Sequence, residues 1–140
     1  MSLELPPHWQ RGSQSVDSAQ LAIAAVRPGD VILAPEELAV TIDVITTRVK
    51  TVAPRDYFMD YLKDDPSFHY EARQRLVDFA NLVIGRVETP AVARALTLLD
   101  VDEVCLPVGS HDRFRFLKAQ GYREAVRSDS NRCFTRGLGR

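Results

Sequence analysis

The chain has 140 residues, 45% hydrophobic and 26% charged, enough for one domain that buries roughly two-thirds of its unfolded surface. No apolar run nears the roughly 18 residues of a membrane span, Met1–Gln10 lacks a signal-peptide pattern, and two cysteines exclude both a disulfide-rich scaffold and a cysteine-rich zinc site. The formal charge of -1 is unevenly spread: residues 111–140 carry +5 and the first 110 carry -6, with 15 of the 18 basic residues arginine.

From the N-terminus, residues 1–15 read as a leader, with Pro6 and Pro7 favouring extended backbone and Gly12, Ser13 and Ser15 forming structure weakly. Asp17 or Ser18 caps a helix reaching Val26, and Arg27-Pro28-Gly29-Asp30 stops it. Val31–Ala34 is a short buried strand. Pro35-Glu36-Glu37 then opens a helix expected to be short, because Val40, Thr41, Ile42, Val44, Ile45, Thr46 and Thr47 are β-branched. Val49–Ala53 forms a second strand, and Arg55–Leu62 a helical or irregular piece.

Asp65-Pro66 begins the most strongly patterned helix, which runs to about Ile84 with Leu76, Phe79, Ala80 and Val83 on one face. Thr89-Pro90 starts the next helix, with Val92, Ala95, Leu96 and Leu99 inward. Glu103–Val108 is a third strand. Ser110 caps a helix that turns Phe114 and Leu117 inward and stops at Gly121. Strands at 122–127 and 132–136 flank the turn Ser128-Asp129-Ser130-Asn131.

Alternating strands and helices predict an α/β three-layer sandwich: a mostly parallel, Rossmann-like sheet of about five strands with an antiparallel C-terminal hairpin. It spans residues 16–140 as a single domain. The first strand is expected at the centre, the second on one side and the third on the other. In such a sheet, ligands sit beyond the strand ends where the chain reverses direction.

The loops there carry the candidate ligand-binding residues: Glu36 after the first strand, Arg55 and Tyr57 after the second, and Ser110 and His111 after the third. A helix N-terminus opening on Gly109-Ser110 can hold a phosphate or carboxylate, Arg55 can clamp it, and His111 can act as a general base. Each also has an ordinary role: acids stabilise any helix start, serine caps helices, and arginine and aspartate pair on surfaces. No cofactor motif is present. There is no Gly-x-Gly-x-x-Gly or phosphate-binding Gly-rich loop, no Gly-x-Ser-x-Gly elbow, and no spacing of His8, His69 and His111 that suits a metal. The helix-Gly-Tyr segment at 116–122 is similar to the end of an acetyltransferase fold, but the pyrophosphate loop of that fold is missing. Cys105 and Cys133 are read as free buried thiols or, if their strands are neighbours in an oxidising compartment, as a cross-strand disulfide.

Four segments in order carry a resemblance: Pro28–Glu36, Val52–Tyr57, Leu99–Leu106 and Phe116–Tyr122 before the hairpin. Together, over residues 16–136, they resemble the soluble C-terminal domain of bacterial polytopic, GT-C glycosyltransferase-like membrane proteins of uncharacterised function. The resemblance implies an extracytoplasmic, non-catalytic accessory or ligand-docking domain, tethered through its N-terminus to the transmembrane region of the same protein. A sugar or lipid-phosphate is the implied ligand, and no nucleic acid is expected, since no recognition motif accompanies the basic tail. Leu5–Trp9 would then lie near the bilayer, where tryptophan is favoured. The family's catalytic acids lie in loops between membrane helices and have no counterpart here; Glu36, Arg55 and Tyr57 match its recurring positions. The alternatives are a stand-alone hydrolase or transferase using His111 with Glu36 or Asp112, and a cytoplasmic interaction module.

Overall fold

The computed structural model describes residues 7–52, 61–84 and 88–136, the stretch 7–15 as backbone alone. In chain order these are α1 (Pro7–Ala24), β1 (Val31–Leu33), α2 (Glu36–Ile45), β2 (Lys50–Thr51), a 3-10 turn (Pro66–Phe68), α3 (Tyr70–Ala80), α4 (Thr89–Leu98), β3 (Glu103–Pro107), α5 (His111–Ala119), β4 (Tyr122–Arg127) and β5 (Asn131–Arg136). The fold is α/β, built on an open five-stranded mixed sheet in the order β2-β1-β3-β5-β4. β1 pairs parallel with β2 and β3, whereas β3 with β5 and β5 with β4 are antiparallel. Parallel and antiparallel pairings are thus balanced rather than mostly parallel. The closing hairpin is long enough to seat β5 against β3 and push β4 to the edge.

Side-chain alternation along β3 divides the core. Val104 and Leu106 face α3, α4 and α5, where they join Leu76, Phe79, Leu96, Leu117 and Phe134. Cys105 faces the other way, with Ile32, Ala19 and Ala22 of α1 and Leu38, Ala39 and Ile42 of α2. Strands have a period of two, so a strand covered on both faces must be apolar at nearly every position. β3 is fully buried over Glu103–Leu106. The edge strand β4 is mostly exposed and carries Arg123, Glu124 and Arg127, charges that discourage edge-to-edge pairing.

Several boundaries differ from the sequence reading for identifiable reasons. The first helix starts at Pro7 instead of Asp17 or Ser18. Proline is well tolerated in a first helical turn, and a glycine or serine within a helix costs only about 1 kcal/mol or less. α2 runs for ten residues despite its β-branched content, because burial of Leu38, Ala39 and Ile42 against α1 outweighs propensity. The helix expected over 66–84 is divided. Asp65 caps a 3-10 turn through the amide and hydroxyl of Ser67, and His69 takes a left-handed conformation (φ 56°) before α3 begins. α3 then stops at Ala80, and Leu82 (φ 58°) turns the chain away, so Val83 leaves the predicted stripe. β2 comprises Lys50–Thr51, and Ala53 lies outside the described residues. Among the described residues, no helix is long and apolar enough to cross a membrane.

Candidate functional site

The C-terminal ends of β1 and β3 lie on one edge of the sheet, because the two strands run parallel with Leu33 opposite Val104. β3 continues three residues further to Pro107, and Gly109 (φ 94°) turns the chain into α5. A left-handed φ suits glycine because no Cβ collides with the backbone. This turn aims the N-terminus of α5 at a recess of about 360 Å³, lined in part by Leu82, Ile84, Val108, Ser110, His111 and Arg113.

Ser110 is the N-cap residue of α5, but its hydroxyl does not cap the helix. It donates instead to the carbonyl of Pro107 at 2.8 Å, so Ser110 supplies no side-chain acceptor to the first-turn amides. Those amides, with the helix dipole, favour an anion. Arg113 lies over the Phe79 ring at 5.3 Å, and its buried Nε has no hydrogen-bond partner among the described residues. Ile84 is 93% exposed and Val108 47%, so the rim of the recess is apolar.

Of the predicted site residues, Ser110 and His111 therefore share a recess. Glu36 does not line it. Its amide is held by Asn81 Oδ1 at 2.9 Å, which ties the start of α2 to the end of α3, one residue before the recess-lining Leu82. Arg55 and Tyr57 lie outside the described residues. The expected shared crevice of three loops is thus described at two of them, and Glu36 stands beside the recess rather than in it. Arg113 stands in the predicted loop after the third strand but was not among the candidate ligand-binding residues, although a cation in the first turn of a helix runs against the dipole, which is a legible signal. His111 is exposed and packs edge-on to Phe114 at 5.8 Å. Asp112 turns back to Arg115 at 2.6 Å, and no carboxylate orients the imidazole among the described residues.

A second recess, of about 470 Å³, opens beside β2 near Asp43, Lys50, Thr51 and Arg73. Its polar groups are largely committed. Thr51 donates to Asp43 at 2.9 Å, while Arg73 donates to the carbonyls of Phe68 and Val52, each at 2.6 Å. Burial pulls the Arg73 pKa below its usual value. The guanidinium acts as a strut between the 3-10 turn and β2.

The least expected group lies inside the sheet. Cys105 and Cys133 face each other across β3 and β5, their Cα atoms 4.0 Å apart, and form a disulfide. Glu103, two residues before Cys105 and so on the same face of β3, is fully buried, and neither carboxylate oxygen has a hydrogen-bond partner among the described residues. A carboxylate oxygen of Glu103 and both sulfurs lie within 4.8 Å of one another. With the sulfurs bonded to each other, the group has no thiolate to offer a metal. Loss of hydration, with a smaller contribution from the negative charge of Asp30, pushes the Glu103 pKa up to about 9. At neutral pH it is a neutral acid that carries its proton.

No family model, curated protein or solved structure matches this chain.

Proposed function

We propose that this chain is a non-catalytic ligand-docking domain of a membrane-anchored, glycosyltransferase-like protein, and that it holds the phosphate of an amphiphilic lipid- or sugar-phosphate ligand. The observation that carries this reading is the recess at the end of β3. There an uncapped helix N-terminus and the unsatisfied Nε of Arg113 sit beside exposed Ile84 and Val108. Amides and guanidinium suit an anionic head, and the apolar rim suits a chain or ring attached to it. The parallel β2-β1-β3 half of the sheet is the Rossmann-like part of the fold, and the recess lies at its strand ends, where such sheets usually bind ligands. The extracytoplasmic placement rests on the ordered resemblance and is supported by the disulfide, which persists in oxidising compartments. The hydrolase alternative is disfavoured by His111, which lacks an orienting carboxylate among the described residues.

The test is calorimetric titration with a short-chain polyprenyl phosphate and with the corresponding alcohol. The phosphate binds and the alcohol does not, and Arg113→Ala weakens binding by roughly tenfold or more. Equal binding of phosphate and alcohol, or indifference to Arg113→Ala, removes the docking assignment. For the anchor, the reading requires membrane spans encoded in the same gene ahead of this domain; a gene without them removes the tether.

A further inference from the structure

We propose that Glu103 and the Cys105–Cys133 disulfide form a redox centre, in which Glu103 donates the proton to the sulfur released when a dithiol reduces the disulfide. The inference is independent of the recess and lies on the opposite face of β3 from Val104 and Leu106. Three observations carry it. The carboxyl group is buried with no hydrogen-bond partner among the described residues, an arrangement that costs stability and calls for a reason. The register of β3 with β5 joins Cys105 to Cys133, and strand alternation puts Glu103 on the same side as Cys105. The carboxyl oxygen and both sulfurs fall within 4.8 Å of one another, so a small adjustment brings the acid to hydrogen-bond distance of a leaving sulfur.

The surroundings keep the acid protonated. α1 and α2 present Ala19, Ala22, Leu38, Ala39 and Ile42 to this face, β1 presents Ile32, and Thr135 is the register partner of Glu103 on β5. Among the described residues, the charge acting on Glu103 is that of Asp30, which also opposes ionisation. The cover over the sulfurs includes two alanines of α1, and Ser18 of the same helix shares hydrogen bonds with Ser128 at 2.8 Å and Ser130 at 3.3 Å in the β4–β5 turn. With Cys105 fully buried and Cys133 2% exposed, access of a reductant requires local opening of this cover.

The chemistry balances with a dithiol as the reductant. Its thiolate bonds to Sγ of Cys133, the residue that keeps 2% exposure where Cys105 keeps none. The Sγ–Sγ bond breaks, and its electron pair leaves on Cys105 Sγ, which takes the proton of Glu103 and becomes a thiol. The second sulfur of the reductant, as thiolate, attacks its partner in the mixed disulfide. Cys133 leaves and is protonated from solvent, and the reductant departs as a cyclic disulfide. Glu103 regains its proton from solvent. The protein disulfide has gained two electrons and two protons, and the dithiol has been oxidised.

The test measures the rate of disulfide reduction by dithiothreitol, read by thiol alkylation and mass, for the wild-type chain and Glu103→Gln across a pH series. Dividing one rate by the other cancels the ionisation of the reductant. Wild type is faster by roughly tenfold or more near neutrality, and the ratio falls towards one as pH rises through about 9, where Glu103 loses its proton. A ratio of one, or a ratio constant with pH, overturns the proposal, because reduction through unfolding or a merely structural role of Glu103 leaves no such profile. In the wild-type chain alone, the carboxyl carbon of Glu103 followed by NMR shows a shifted titration once the disulfide is reduced, as coupled acids do. An unchanged titration overturns the proposal equally.

Discussion

Arg136 meets Asp102 at 2.6 Å, and the other oxygen of the same carboxylate accepts the amide of Val31 at 2.8 Å. One buried side chain thereby ties β1 to the end of β5 at the start of β3. The backbone of Asp102 reinforces the junction, donating to the carbonyl of Val31 and accepting from the amide of Arg136. Removing the carboxylate strips the Val31 amide and the guanidinium of a partner together. Asp102→Ala is expected to cost roughly 3 kcal/mol, and Asp102→Asn less, since its amide oxygen still accepts from Val31. Urea denaturation midpoints at constant slope check the order of the two variants.

Glu103 makes stability depend on pH with a defined sign. Its folded pKa of about 9 exceeds the model-peptide value of 4.5, so between these limits the folded chain holds a proton that the unfolded chain has released. The folded state keeps its full stability with respect to this group below about 4.5 and loses stability progressively as pH rises towards about 9, because burial penalises the charged form. The loss is up to about 1.4 kcal/mol per pH unit within that window. Glu103→Gln, which does not titrate, flattens the dependence. Denaturation at a series of pH values, with the disulfide kept oxidised, compares the two slopes; parallel slopes contradict the assignment.

The disulfide closes a loop with a sequence separation of 28, for which restricting the unfolded chain contributes about 3–4 kcal/mol. Replacing both cysteines by alanine lowers stability by about that amount, and reduction of the wild-type chain does the same. Calorimetric melting of the oxidised, reduced and doubly substituted chains provides the measurement.

Tyr122 Oη donates to the carbonyl of Val101 at 2.7 Å in a buried setting, joining the start of β4 to the turn before β3. Tyr122→Phe keeps the ring and leaves that carbonyl short of a donor, at a cost of about 1–2 kcal/mol. Hydrogen exchange at Val101–Glu103 rises with it. An unchanged denaturation midpoint would show that water replaces the hydroxyl.

Much of the fold is legible residue by residue. Val31–Leu33 is apolar and bounded by Gly29-Asp30 and Pro35; Val104–Leu106 is apolar and precedes Gly109; the turn at 128–131 is polar. Each shows its strand or turn locally, since turn formers and apolar runs act over a few positions. The division at His69 is not legible in this way, because Asp65-Pro66 serves a 3-10 turn as well as an α-helix. The length of α2 was hidden too, since propensity argued against it and only the apolar surface of α1 reversed the balance. Within the recess, Ser110 and His111 were legible from their place after a strand. Arg113 carried a local signal as a cation in a first helical turn, but its seat over Phe79 of a distant helix came only from the tertiary structure.

From its residues alone the chain specifies an α/β alternation, a hairpin at its end and a helix opening at Ser110, because periodicity, capping and turn chemistry are local properties. Tertiary structure decided the rest. Sheet order and register paired Cys105 with Cys133, buried Glu103 beside them, and left its carboxyl group without a hydrogen-bond partner among the described residues. Those outcomes depend on which strand lies next to which and on a side-chain period of two, and a one-residue slip would have turned the acid to the opposite face.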